Sequence, residues 1–184
     1  DYRIDKSSSE ISDRPLLSGT ISLKRAWVFA IGSLFISFVL AGFIAYRTGS
    51  YLPVLILGVS AFFITVYDLI SKKLPGMDIF VALGVFFLIV YGASVKTGSV
   101  FDITHLTWIV CVLGSIQVLF MQFIAGGLKD IENDYRMGAN TLAVKLGVRV
   151  KDNGDLFISK SFKGLAYGIQ VVDLFVVFIP FFII

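Results

Sequence analysis

Five stretches of this sequence stay apolar for close to the ~20 residues that an α-helix needs to cross a bilayer, and nothing else in the chain restricts its fold as much. They run over Trp27–Tyr46, Tyr51–Ile70, Ile79–Val95, Leu106–Ala125 and Leu165–Ile184. In hydrocarbon each backbone N–H and C=O has to be satisfied inside the protein, so runs of this length predict membrane helices and argue against a soluble globular domain. Composition agrees, because only 16% of the residues are charged and 57% are hydrophobic, whereas soluble domains carry about a quarter charged residues. Short connections at Arg47–Ser50 and Ser71–Asp78 suit antiparallel neighbours. The expected fold is therefore all-α, a multi-span transmembrane helical bundle. The chain starts on Asp1 and ends within the apolar run FVVFIPFFII, which leads us to expect a single membrane domain over 1–184, truncated at both ends.

Orientation follows from the basic residues. Of the 16 Lys and Arg, all but Arg47 and Lys96 fall on one side of the five spans: before the first, between the second and third, or between the fourth and fifth. Positive residues near spans mark the cytoplasmic side. Segments 1–25 and 126–164 are thus expected to form a cytoplasmic loop and a cytoplasmic cap. The net charge of +3 belongs to this topology and gives no reason to expect nucleic-acid binding. The lone Cys111 lies within a span and excludes an internal disulfide.

Most of the chemistry gathers between Gly126 and Gly147, GGLKDIENDYRMGANTLAVKLG. Asp130 and Asp134 are four apart, which on a helix stacks two carboxylates one turn apart on one face. Like charges so placed repel unless a cation sits between them. A hard divalent ion such as Mg²⁺ would relieve that repulsion and keep open positions for phosphate oxygens. A pair with the same spacing, Asp1 and Asp5, opens the chain in DYRID. Surface acids at helix ends would explain either pair alone; two pairs on one membrane face favour metal binding.

At these residues the sequence resembles the UbiA superfamily of intramembrane prenyltransferases. Asp1 and Asp5 look like the last two aspartates of a first motif, NDxxDxxxD, whose Asn-Asp would lie before residue 1. Arg14 to Gly19, RPLLSG, resembles that motif's trailing segment, and Asp130 to Gly147 resembles the second motif, DxxxD followed by GxxTLAVxLG. The resemblance implies a UbiA-type transferase of prenyl (alkyl) groups. It would move an isoprenyl group from a polyprenyl diphosphate to an aromatic or lipid-like acceptor, as in quinone-precursor or archaeal-type ether-lipid biosynthesis. Mg²⁺ would be held by Asp1, Asp5, Asp130 and Asp134, with the bundle open to membrane lipid and the active site facing the cytoplasm.

Arg14 and Lys72 are candidate diphosphate contacts, Arg as a fork matched to phosphate oxygens and Lys as a compact charge; as ordinary positive-inside residues they would need no ligand. Tyr67 resembles the family's tyrosine-then-lysine pattern, although the gap to Lys72 is five residues and the family's is nearer four, which leaves Lys73 as an alternative. Asn133 is a polar candidate beside the second motif. Asp68 and Asp173 are acids within spans and so functional candidates by default. Asp68 could join the headgroup site or pair with Lys72 at i,i+4; Asp173 could hold the acceptor or make a helix–helix contact. An alternative function is a multi-span transporter using Asp68 and Asp173, although transporters place key charges near the midplane rather than at one face.

Overall fold

Charges that mark the ends of the apolar runs in the sequence turn out to lie inside the helices, in their first and last turns. The computed structural model describes residues 15–151 and 153–183, so Asp1, Asp5 and Arg14 lie outside the described residues. Its five helices long and apolar enough to cross a membrane are Leu23–Thr48, Leu52–Ile70, Asp78–Thr97, His105–Lys129 and Lys160–Phe182. The expected all-α multi-span fold is thus observed. The third span, the shortest in the sequence reading, gains Asp78 and Lys96 at its ends, because charged side chains can reach the interface while the helical backbone continues.

The chain divides into two compact units, the first ending at Gly49 and the second running from Ser50. In the first, Ile21 N donates to Pro15 O at 2.9 Å, closing a turn ahead of helix α1, Leu23–Thr48. Ser22 caps α1, its hydroxyl accepting from Arg25 N at 3.3 Å. At 26 residues α1 is about 39 Å long, enough to cross the hydrocarbon with margin.

The second unit holds α2 (Leu52–Ile70), α3 (Asp78–Thr97) and α4 (His105–Phe120), which pack in sequence order. Small residues bring α2 and α3 close: Ser60 Oγ donates to Gly84 O at 2.7 Å, and a Cβ on Gly84 would stand 2.5 Å from Ile64 Cγ1. Close approach at small residues is how helices associate where lipid removes the hydrophobic drive. Phe63 stacks on Phe87 at 5.7 Å between their centroids, and Trp108 of α4 meets Phe86 at 6.0 Å. Leu55, Phe62 and other large apolar side chains stay exposed, as lipid solvation allows.

Beyond α4 the chain runs on through a π-helical turn, Met121–Gly126, and then α5 (Gly127–Lys129), α6 (Ile131–Arg136) and α7 (Leu142–Lys145). A hairpin of β1 (Arg149–Val150) and β2 (Leu156–Phe157) follows, antiparallel, with Arg149 opposite Phe157. The return span α8, Lys160–Phe178, begins earlier than hydropathy indicates, because Ser159 caps it by accepting from Phe162 N at 3.1 Å. Pro180, which carries no N–H, starts the short α9, Pro180–Ile183. Phe123, Ile124, Ile131, Ala143, Val148 and Phe162 form a buried cluster joining this segment to the ends of α4 and α8. The cap is therefore packed onto the spans rather than being a polar loop.

Candidate active site

The two acids of the second motif are set by how α4 ends. Its π-helical turn fits one extra residue into a turn, a departure common at functional sites. Helix geometry then breaks at Asp130, with φ −94 and ψ 1. Two backbone bonds carry the register across the break, Asp130 N to Gly126 O at 3.0 Å and Asp134 N to Asp130 O at 2.9 Å. Asp130 and Asp134 thus stay one turn apart, although not on one unbroken helix as the spacing predicts. Gly127 lets α7 come close, since a Cβ there would stand 3.1 Å from Ala143 Cβ. Gly138 (φ 64) and Gly147 (φ 82) end α6 and α7 in left-handed turns that a side chain would disfavour.

Between the two acids lies a cation. Lys72 Nζ, just past the end of α2, donates to Asp134 Oδ1 at 2.6 Å and sits 3.8 Å from Asp130 Oδ2. The Asp134 side chain is only 2% exposed and that of Lys72 19%, whereas Asp130 is 50% exposed. A carboxylate this buried is costly unless paired, and Lys72 supplies the pair. The cap in turn positions the lysine: Asn140 N donates to Lys72 O at 3.2 Å, and Asn140 Nδ2 to Lys73 O at 3.3 Å. Of the two lysines, Lys72 therefore turns to the acids, while Lys73 is exposed.

These groups line a cavity of about 70 Å³ where the cap meets α2, α3 and α4. Tyr67 is there as well, its hydroxyl donating to Gln122 Oε1 of the π-helical turn at 3.3 Å. Four further polar residues line it that have no individual role in the sequence reading: Ser71 past the end of α2, Asp78 at the start of α3, Gln122, and Thr141 of the TLAV segment. The Thr141 hydroxyl is buried without a hydrogen-bond partner, an open position in an otherwise satisfied site. Gln122 could have been noticed as a carboxamide in an apolar run, and Thr141 as the hydroxyl of the TLAV segment; Ser71 and Asp78 carry no local signal. Asp68 is exposed on α2 and Asn133 is half-buried on α6, and neither is among the residues lining the cavity. Asp173 lies on a different cavity.

Among the described residues no group of three or more His, Cys, Asp or Glu is placed to hold a metal ion. The two carboxylates of Asp130 and Asp134 nevertheless fit a hard cation. A positive centre already bridges them, the donors are oxygens, and the half-exposed Asp130 and the unpartnered Thr141 hydroxyl leave room for further oxygen ligands.

No curated protein and no solved structure matches the chain. The model of the UbiA prenyltransferase family, by contrast, matches residues 1–182 and so takes in all five membrane helices and both acidic motifs. On that match, the chain belongs to the UbiA prenyltransferase family and is an integral membrane prenyltransferase.

Proposed function

We propose that the chain transfers an isoprenyl group from a polyprenyl diphosphate to a hydrophobic acceptor, aromatic or lipid-like, with Mg²⁺ held at the acidic motifs and the site on the cytoplasmic face. The observation that carries this is the Lys72–Asp134–Asp130 cluster in the cavity under the cap, a buried Asp134 and a half-exposed Asp130 that already share a cation. Bound Mg²⁺ would neutralise diphosphate oxygens and so favour departure of the leaving group.

The residues of the chain would do the rest. Asp130 and Asp134 would hold the metal, and Lys72 would turn its ammonium from the acids to a diphosphate oxygen. Asp78, Gln122 and the Thr141 hydroxyl offer polar contacts on the other walls, with Tyr67 holding Gln122 in place. The first motif assigns Asp1 and Asp5 to metal binding and Arg14 to the diphosphate, and Asn133 is retained as a polar neighbour of the second motif. In the transfer, the allylic carbon–oxygen bond breaks with its electron pair leaving on the diphosphate. The acceptor supplies the pair for the new bond to that carbon and then loses a proton.

An apolar groove between α3 and α4 suits the tail. It has a volume of about 180 Å³, begins at Ile79 beside Asp78 and at Leu119 before the π-helical turn, and continues past Ser115 to Phe86 and Val112. An active site of this kind has to keep water from a reactive allylic carbon, and apolar walls beside the diphosphate cavity would do so. The transporter alternative is not favoured, since the family is one of transferases and Asp68 is exposed on α2.

The test uses the full-length protein in liposomes with diphosphates of graded chain length, a panel of phenolic and lipid-alcohol acceptors, and mass detection of products. A product heavier than an acceptor by the whole isoprenyl chain of the diphosphate supplied, less one hydrogen, formed with Mg²⁺ and not with EDTA, is expected. Metal-independent transfer, or none with any pair, would contradict the proposal.

A further inference from the structure

A second cavity, of about 340 Å³, lies between α4 and α8. Its polar groups are Gln117 of α4 with Gln170 and Asp173 of α8, and its walls include Phe120, Met121 and Ile169. Asp173 is thirteen residues past the Lys160 that starts α8, so the rise per residue puts it about 20 Å along the span, within the hydrocarbon. One of its carboxylate oxygens, Oδ1, is buried and has no hydrogen-bond partner. The residues lining the cavity include no Lys, Arg or His.

An acid at this depth is expensive to keep, and where one persists it faces a cavity or a partner. Here it faces a cavity. The volume is at the lower end of the ~300–1,000 Å³ that small-molecule sites span, and the make-up is the usual one of apolar walls with a few convergent polar groups. A carboxylate and two carboxamides offer more acceptors than donors, so the complementary ligand brings donors of its own. It must also be soluble in the bilayer. A phosphate or carboxylate would find no cation among the lining residues, and a purely apolar molecule would leave Oδ1 unsatisfied.

We propose that this cavity binds a neutral, hydroxyl-bearing hydrophobic molecule, a phenol or long-chain alcohol, with its hydroxyl donating to Asp173 and the two glutamines flanking it. Two sources share that chemistry, the acceptor of the transfer reaction and a membrane alcohol that is no substrate. The site does not depend on the diphosphate reading, because it lies on different residues and uses no metal.

The experiment uses the full-length protein in nanodiscs with a photoactivatable long-chain phenol and, in parallel, its methyl ether, which has the same shape but cannot donate. Crosslinked peptides are located by mass spectrometry. The phenol should label segments 117–121 and 169–173 saturably, the ether less by up to about tenfold, as loss of one hydrogen bond implies. Asp173→Leu should lower phenol labelling by a similar factor, and Gln170→Leu gives an independent reading if that variant does not fold. Asp130→Ala should leave labelling unchanged. Equal labelling by phenol and ether, or labelling indifferent to both α8 substitutions, would overturn the proposal; so would dependence on Asp130. A KM for the hydroxyl acceptor raised by Asp173→Leu, with the KM for the diphosphate unmoved, identifies the ligand as the acceptor. Unmoved KM values with labelling lost identify a membrane alcohol.

Discussion

Replacing Lys72 by Met keeps most of the side chain's length and removes its charge, so it isolates what the cation does between Asp130 and Asp134. Removing one partner of a buried ion pair costs about 3–5 kcal/mol, because the other charge is left desolvated and unpaired. Asp134 is 2% exposed and meets that condition, but Lys72 is 19% exposed and Asp130 50%, so water can reach part of the cluster. The low end, about 3 kcal/mol, is the appropriate figure. At about 2–4 °C per kcal/mol for a domain of this size, Lys72→Met should melt about 6–12 °C below the parent in EDTA. Lys73→Met, at an exposed neighbour, should shift stability by less than about 0.5 kcal/mol. Adding Asp134→Asn to Lys72→Met removes the stranded charge and should recover much of the loss. Excess Mg²⁺ with diphosphate should narrow the gap between Lys72→Met and the parent, since the ion would take over the role of the ammonium. The assay is thermal melting of detergent-solubilised protein, read by a thiol-reactive fluorophore that labels the buried Cys111 on unfolding or by light scattering. If Lys72→Met melts with Lys73→Met, or if the double variant shows simple additivity, the cation is not what holds this pair.

Asp130→Ala and Asp134→Ala should each lower product formation by at least about a hundredfold while membrane insertion, read by fractionation, is unchanged. Gly84→Val would place atoms where Ile64 already lies and should destabilise by about 1–3 kcal/mol, seen as a lower melting temperature. Ser115→Phe, filling the groove between α3 and α4, should shift turnover toward shorter diphosphates with little change in melting; an unchanged length preference would remove the groove from the account.

Much of the fold could be read from the sequence because bilayer thickness is a strong ruler. Each of the five apolar runs became a helix, and the differences are at the ends, where a capping hydroxyl such as Ser159 or a charge that can reach the interface extends the helix beyond the apolar window. The interior of the cap was not legible. Ala143 and Val148 bury themselves against Phe123 and Phe162, but in a segment this short and irregular no period announces it. Nor does a π-helical turn leave a mark in hydropathy, yet it aims Gln122 at Tyr67. The acid pair was visible because both residues lie one turn apart in sequence. Asp78 was not, because it reaches the cavity from a separate element that only folding brings there. Lys72 was one of two choices, and the carbonyl contacts from Asn140 to Lys72 and Lys73 show why the backbone there has a fixed orientation.

The central claim is that Asp130 and Asp134 jointly hold a divalent ion that a diphosphate completes. Its most direct test is Mn²⁺ binding to the full-length protein, followed by electron paramagnetic resonance with and without a non-hydrolysable prenyl diphosphate analogue. Binding that tightens when the analogue is added, and that is lost in Asp134→Asn while the protein stays folded, is the predicted result. Mn²⁺ binding that ignores both the analogue and the substitution would contradict it.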